Sequence, residues 1–128
     1  MITPTKKDIE AARERISSYI HRTPILTSKY INDLCQAEVF FKCENLQKTG
    51  SFKVRGASNK ILQLSNPNGL CTHSSGNHAQ AVAYIASKLG IKASIVMPFD
   101  TPDIKKNAVK GYGAEVILTG PTVPEQER

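Results

Sequence analysis

No stretch of the chain approaches the roughly 20 consecutive apolar residues needed to cross a bilayer. The amino terminus, Met1-Ile2-Thr3-Pro4-Thr5-Lys6-Lys7-Asp8, also lacks the apolar centre of a secretory signal. A membrane partner is therefore not expected, and the cytoplasm is the expected compartment. Cysteine is scarce and odd in number. Cys35, Cys43 and Cys71 show no paired, metal-type spacing, so neither a disulfide framework nor a metal site is expected, and the three read as buried, reduced bystanders. There is no tract dominated by proline or glycine, no internal repeat and no low-complexity segment, which excludes disorder, collagen-like and coiled-coil classes. Clustered positive charge is missing too. Although 17 Lys+Arg against 11 Asp+Glu leave a net charge of +6, no basic run exceeds a Lys-Lys pair. The four Phe and four Tyr do not interleave with the cations as a stacking platform would, so nucleic acid is not an expected partner.

What is present is an ordinary globular composition, 40% hydrophobic and 22% charged, over 128 residues, enough for one domain but not for two complete ones. Ile9, Ala12, Ile16 and Ile20 recur at helical spacing behind a Thr5-Lys6-Lys7-Asp8 capping pattern, and His21-Arg22-Thr23-Pro24 is expected to end that helix. Residues 38–44, Glu-Val-Phe-Phe-Lys-Cys-Glu, read as a strand, and a helix is predicted from Phe52 to Leu64 behind the breaker Gly50. Ser65 to Gly69 is the one compositional linker and a domain boundary in this reading.

Beyond it the pattern alternates regularly. A strand at Leu70–His73 leads through a tight loop to an Ala-rich helix from about Asn77 to Leu89, which Gly90 caps. A strand at Ala93–Met97, a helix capped by Thr101 with Pro102 at its first position, and a strand at Ala114–Leu118 follow. This is a βαβαβ unit, hence a parallel α/β sheet whose ligands sit beyond the carboxyl ends of its strands. The loop after His73 is such an end.

Two segments stand apart from the scaffold. In Glu44-Asn45-Leu46-Gln47-Lys48-Thr49-Gly50-Ser51-Phe52-Lys53-Val54-Arg55-Gly56, Ser51 is the natural helix cap, which places Lys53 in the first turn. There the positive end of the backbone dipole disfavours an ammonium and favours the neutral amine that attacks aldehydes. A solvated surface lysine is the plainer alternative. In Thr72-His73-Ser74-Ser75-Gly76-Asn77-His78-Ala79-Gln80, small residues, two hydroxyls and helix-start amides make an anion cradle, and simple capping by Ser75 or Asn77 is the alternative.

Taken together, a lysine-bearing turn followed by Ser-Ser-Gly-Asn-His about twenty residues later resembles the fold type II pyridoxal phosphate enzymes. Residues 41–57, with His21-Arg22-Thr23-Pro24-Ile25-Leu26-Thr27-Ser28 upstream and residues 105–114 downstream, resemble the serine racemase and serine/threonine dehydratase branch. The resemblance implies a three-layer parallel-sheet α/β architecture. Residues 1–68 would be the amino-terminal part of the large cofactor domain, and 69–128 most of a small βαβαβ domain.

By the same resemblance Lys53 would bond to the aldehyde of pyridoxal 5′-phosphate and return protons to one face of the substrate Cα. Phe52 would lie against the cofactor ring, and Asn77 would bind its ring hydroxyl. Ser74, Ser75, Gly76, Asn77 and His78 would surround the carboxylate of an amino-acid substrate. Threonine dehydratases typically carry Ser-Ala-Gly-Asn where this chain has Ser-Ser-Gly-Asn. Racemisation needs a second acid/base opposite the lysine, and Ser75 is the candidate. The expected activity is therefore serine racemisation with accompanying serine/threonine dehydration. A dedicated dehydratase, or a non-catalytic α/β binding module, is the alternative. Lys29 departs from the serine common in animal racemases near a nucleotide site, which argues against nucleotide activation.

The cofactor's phosphate loop in that family lies downstream of the matched region. The chain is accordingly expected to be an amino-terminal portion, inactive alone, with the remainder of the large domain absent. The family enters another helix where residues 120–128 end this chain, and any divalent cation such as Mg would bind outside this segment. Family members are often dimers, so a homodimer is expected.

Overall fold

The computed structural model describes residues 3–120. Residues 1–2 and 121–128, including most of the terminal segment just mentioned, lie outside the described residues.

The first helix, α1, runs Lys6–Ile16 and begins with the expected reciprocal cap. The amide of Asp8 donates to the Thr5 hydroxyl at 3.3 Å, and the Thr5 amide donates to the Asp8 carboxylate at 2.7 Å. It stops short of Ile20 because the Ser17 hydroxyl donates to the Glu14 carbonyl at 2.8 Å, closing the turn locally. Ile20 still packs against the core.

A two-residue strand β1, Ile25–Leu26, pairs antiparallel with β2, Phe41–Lys42. The strand expected over residues 38–44 is thus much shorter, since only Ile25 and Leu26 lie alongside to complete a ladder. The amide of Val39 donates instead to the Asn32 side chain at 2.9 Å. Between the two strands lies α2, Lys29–Cys35, which the sequence reading missed. It spans only seven residues and buries none of them, although Ile31, Leu34 and Cys35 stand at helical spacing. A single 3₁₀ turn, Glu44–Leu46, precedes α3, Lys53–Ile61.

From here the alternation unfolds as expected: β3 Leu70–His73, α4 Asn77–Leu89, β4 Ala93–Pro98, α5 Asp103–Gly111 and β5 Glu115–Thr119. The three strands form a parallel sheet in the order β3-β4-β5, with Leu70 opposite Ala93 and Ser94 opposite Glu115. Gly90 closes α4 at φ +66°, a left-handed conformation that glycine adopts without steric cost. The start of α5 differs from expectation. Pro102, with ψ 138°, flanks the helix rather than opening it, and the Thr101 hydroxyl is buried without a partner.

The core centres on α4. Its Ala79, Ala81, Ala83, Ile85 and Ala86 are buried, and α3 lays Val54, Ala57, Ser58 and Ile61 on it. The sheet supplies Ile95 and Met97 from the other side. Alanine on one helix and Ala57 and Ser58 on the other leave little to hold the axes apart, so α3 is oriented by close contact. The Tyr84 hydroxyl donates to the Tyr19 carbonyl at 2.7 Å and ties α4 to the turn after α1. The cysteines are not buried as expected. Cys35 on α2 and Cys71 on β3, an edge strand of the described sheet, are exposed, and Cys43 is half-buried.

Ile85 is fully buried at the centre of this packing. Ile85→Ala should lower unfolding free energy by about 3 kcal/mol in urea titration. A loss under about 1 kcal/mol would mean that α4 is not the organising helix.

Candidate active site

The turn that launches α3 is shaped by Gly50, whose φ of +69° a side-chain-bearing residue rarely tolerates. Its amide donates to the Gln47 carbonyl at 2.8 Å. Ser51 was the expected cap, but Phe52 occupies that position in helical geometry and contributes no capping bond. The hydroxyls of Thr49 and Ser51 are buried without partners. Unsatisfied hydrogen-bonding capacity is thus concentrated in the turn next to Lys53. Lys53 itself is exposed, its Nζ 5.2 Å from the centroid of the Phe52 ring, and among the described residues it forms no salt bridge.

Lys53 and Phe52 face a cleft of about 490 Å³ whose floor is mostly apolar. Gly56, Ala57, Lys60, Ile61 and Leu64 of the α3 side line it, with Leu70, Cys71 and Thr72 of β3 and His78 and Val82 of α4 opposite. Of the residues expected at the site, the cleft therefore gathers Phe52, Lys53 and His78. Ser74, Ser75, Gly76 and Asn77 do not line it. They form the loop that leads directly into His78.

That loop is built without a side-chain cap. The Ser74 amide donates to the Val96 carbonyl at 3.1 Å, extending the β3–β4 ladder, and the Gly76 amide donates to the Ser74 hydroxyl at 3.2 Å. Gly76 is the residue flanking α4, and neither Ser75 nor Asn77 caps the helix. The plain capping alternative is thereby removed. The first-turn amides of Asn77, His78 and Ala79 have no side-chain acceptor, and a helix start in that condition binds anions. A Cβ built on Gly76 or on Gly56 meets nothing within 4 Å, so both glycines border open space rather than packed neighbours.

These features fit one part of pyridoxal phosphate well. An accessible amine beside an aromatic ring suits its aldehyde and ring, and the uncapped amides at the start of α4 suit an amino-acid carboxylate. Among the described residues no glycine-rich cradle for the phosphate accompanies them.

A polar network on the Arg55 side of the turn carried no role in the sequence reading. Arg55 Nε and Nη2 donate to the two oxygens of Glu44, each at 2.7 Å. Thr23 donates to Glu44 Oε1 at 2.5 Å. Gln47, almost wholly buried, both accepts from the His21 amide and donates to the His21 carbonyl, each at 2.8 Å. The only sequence signal was an acid and a guanidinium eleven residues apart across the lysine-bearing turn, a spacing with no helical or strand period.

Comparison with known proteins agrees with this geometry. A family profile described as "Pyridoxal-phosphate dependent enzyme" matches residues 16–128. A serine racemase of Dictyostelium discoideum is 50% identical over 99% of this chain and 40% of its own length. Its crystal structure superposes with a TM-score of 0.89, covering 98% of this chain and 42% of that one. A catabolic L-threonine dehydratase of Staphylococcus aureus is 52% identical over 88% of this chain and 34% of its own. A beta-hydroxyaspartate dehydratase of Paracoccus denitrificans is 46% identical over 99% and 41%, respectively. The chain thus spans about 40% of the length of the curated relatives it matches.

Hydrogen bonds from Arg55, reinforced by Thr23 against the opposing effect of burial, lower the Glu44 carboxyl to a pKa of about 2. A lowered folded value means that the stabilisation is complete above the unfolded value of 4.5 and is lost as pH falls through about 2. In thermal melts between those limits the wild-type midpoint should fall more steeply than that of Glu44→Gln, which starts lower at neutral pH. Superimposable acid profiles would show that the pair contributes nothing to folding.

Proposed function

The chain belongs to the pyridoxal-phosphate dependent enzymes, and we propose that it forms the amino-terminal part of the active site of a serine racemase that also dehydrates serine or threonine. The observation that carries this reading is the pairing of Lys53, open beside Phe52, with a Ser-Ser-Gly-Asn-His loop whose helix amides are uncapped. The identity of about 50% to a serine racemase supports it. The dehydratase relatives support the accompanying elimination, and a dedicated dehydratase is the competing reading.

Bound pyridoxal phosphate supplies an electron sink for the pair left on the substrate Cα when its proton departs. Lys53 would hold the cofactor's aldehyde end and move the proton on its own face of Cα. The first-turn amides of Asn77, His78 and Ala79, with the Ser74 hydroxyl free to donate, bind and orient the substrate carboxylate. The Asn77 side chain would hold the cofactor's ring hydroxyl, and Phe52 would lie against its ring. Ser75 holds the proton on the opposite face, the step that separates racemisation from elimination.

We further propose a division into a large cofactor domain, residues 1–68, and a small α/β domain, residues 69–128. A cytoplasmic homodimer suits two exposed free cysteines and the exposed apolar side chains of Tyr30, Leu34 and Phe40. Any divalent cation would bind outside these residues.

In the native protein Lys53→Ala should abolish both D-serine formation and ammonia release. Ser75→Ala should cut racemisation by roughly 100-fold or more while elimination falls by less than about tenfold, with chiral chromatography and ammonia assay as readouts. Equal losses at Ser75 would remove its role as the second acid/base, no D-serine formation in wild type would leave the dedicated dehydratase, and unchanged activity in Lys53→Ala would remove Lys53 from the reaction.

A further inference from the structure

The helix that carries Lys53 begins without a side-chain cap, so its first turn is held by the burial of Val54 and by backbone bonds, and no capping side chain sets its rotation. Arg55 lies two residues further along the same turn. At 3.6 residues per turn its side chain leaves the helix about 200° around the axis from Lys53, on the far side. The two residues accordingly line different clefts. Lys53 faces the one shared with β3 and α4, and Arg55 faces one of about 700 Å³ bordered by His21, Thr23 and Lys42. A tether through Arg55 therefore holds the turn from behind and leaves the amine face free.

The tether has the geometry of a positioning device. The guanidinium meets Glu44 through two donors, both at 2.7 Å, and a planar fork on a carboxylate fixes orientation as well as distance. Glu44 is held in turn by Thr23, and the partner side chains are 30% and 18% exposed. Gln47, bound to the backbone of His21 through both ends of its amide, pins the other end of the same turn. All of these bonds converge on the segment from Glu44 to Arg55, and none touches the cleft that Lys53 faces.

We infer that the Glu44–Arg55 pair, seated by Thr23, is a positioning unit that sets the rotation and height of the first turn of α3 and so aims the Lys53 amine into its cleft. The inference rests on the reading of Lys53 as the residue that bonds the cofactor aldehyde, and its test is chosen to separate the two.

The native protein is mixed with pyridoxal 5′-phosphate alone, reduced with borohydride and mapped by peptide mass spectrometry. The label on Lys53 is compared with that on an exposed reference, Lys88. Wild type should label Lys53 selectively. Arg55→Lys keeps the charge but loses the fork, and Thr23→Val keeps the ion pair but removes the hydroxyl that seats it. Each should lower the selectivity, by roughly tenfold for Arg55→Lys and several-fold for Thr23→Val, while a cooperative melt shows the protein folded at the labelling temperature. Thr23→Ser should restore wild-type selectivity, which a general loss of stability would not predict. Should Arg55→Lys fail to fold, the two Thr23 variants decide the matter. Wild-type selectivity in Thr23→Val, or equal loss in Thr23→Val and Thr23→Ser, overturns the positioning role and leaves the cofactor reading standing. No preference for Lys53 in wild type overturns both.

Discussion

Everything the site can do depends on how closely two helices approach each other. α3 starts at Lys53 and α4 starts at Asn77, so the contact between them decides whether an amine and an anion-binding loop belong to one site or to two. Small residues fill that contact: Ala57 and Ser58 on one side, and the alanines of α4 on the other. With so little side chain between the axes, the helices have few alternative packings, and the uniqueness of the arrangement follows from volume. Lys53 and His78 consequently face a common cleft although 25 positions separate them in sequence.

The same contact explains why the functional ends are left unsatisfied. A helix start usually recruits a nearby serine, threonine or asparagine, and Thr49 and Ser51 are at hand before α3 as Ser74, Ser75 and Asn77 are around the start of α4. Yet α3 and α4 each begin without a side-chain cap, and the hydroxyls of Thr49 and Ser51 are buried without partners. Burial against the partner helix compensates for what the missing caps would have contributed, at Val54 and Ala57 on α3 and at Ala79 and Ala81 on α4. The scaffold tolerates open donors because its stability is drawn from elsewhere, a pattern expected where a ligand completes the hydrogen bonding.

How much of this could be read from the sequence depended on whether the signal was local. Leu70–His73, Asn77–Leu89 and the closing role of Gly90 follow from short-range patterns of strand, apolar periodicity and a glycine stop, and all appear as expected. The parallel order of the sheet follows from the alternation itself. The failures share another cause. The strand over residues 38–44 was predicted from composition, whereas a ladder requires a neighbour, and only Ile25 and Leu26 lie alongside. α2 was missed because seven residues are too short a window for helical periodicity to stand out. At the candidate site, chemistry and order along the chain singled out Lys53 and the serine-rich loop, of which the cleft gathers Lys53 and His78. Glu44, Thr23 and Gln47 were not, because their roles arise from a fold that brings residues 21–23 against 44–55, and no spacing rule encodes such a contact.

The architecture of the loop bears on how relatives with different activities stay so alike. Its shape is set by Ser74, whose amide joins the sheet and whose hydroxyl receives the Gly76 amide, and by the start of α4. Position 75 takes no part in those bonds. A hydroxyl there can be exchanged for a methyl without breaking a bond that shapes the loop, so under the proposed assignment of Ser75 the acid/base group would change independently of the loop's backbone. Proteins named serine racemase and threonine dehydratase are both about 50% identical to this chain. If position 75 sets the reaction as proposed, a scaffold that keeps that side chain out of the bonds shaping its loop fits that closeness, because a change of reaction would then require no change of fold.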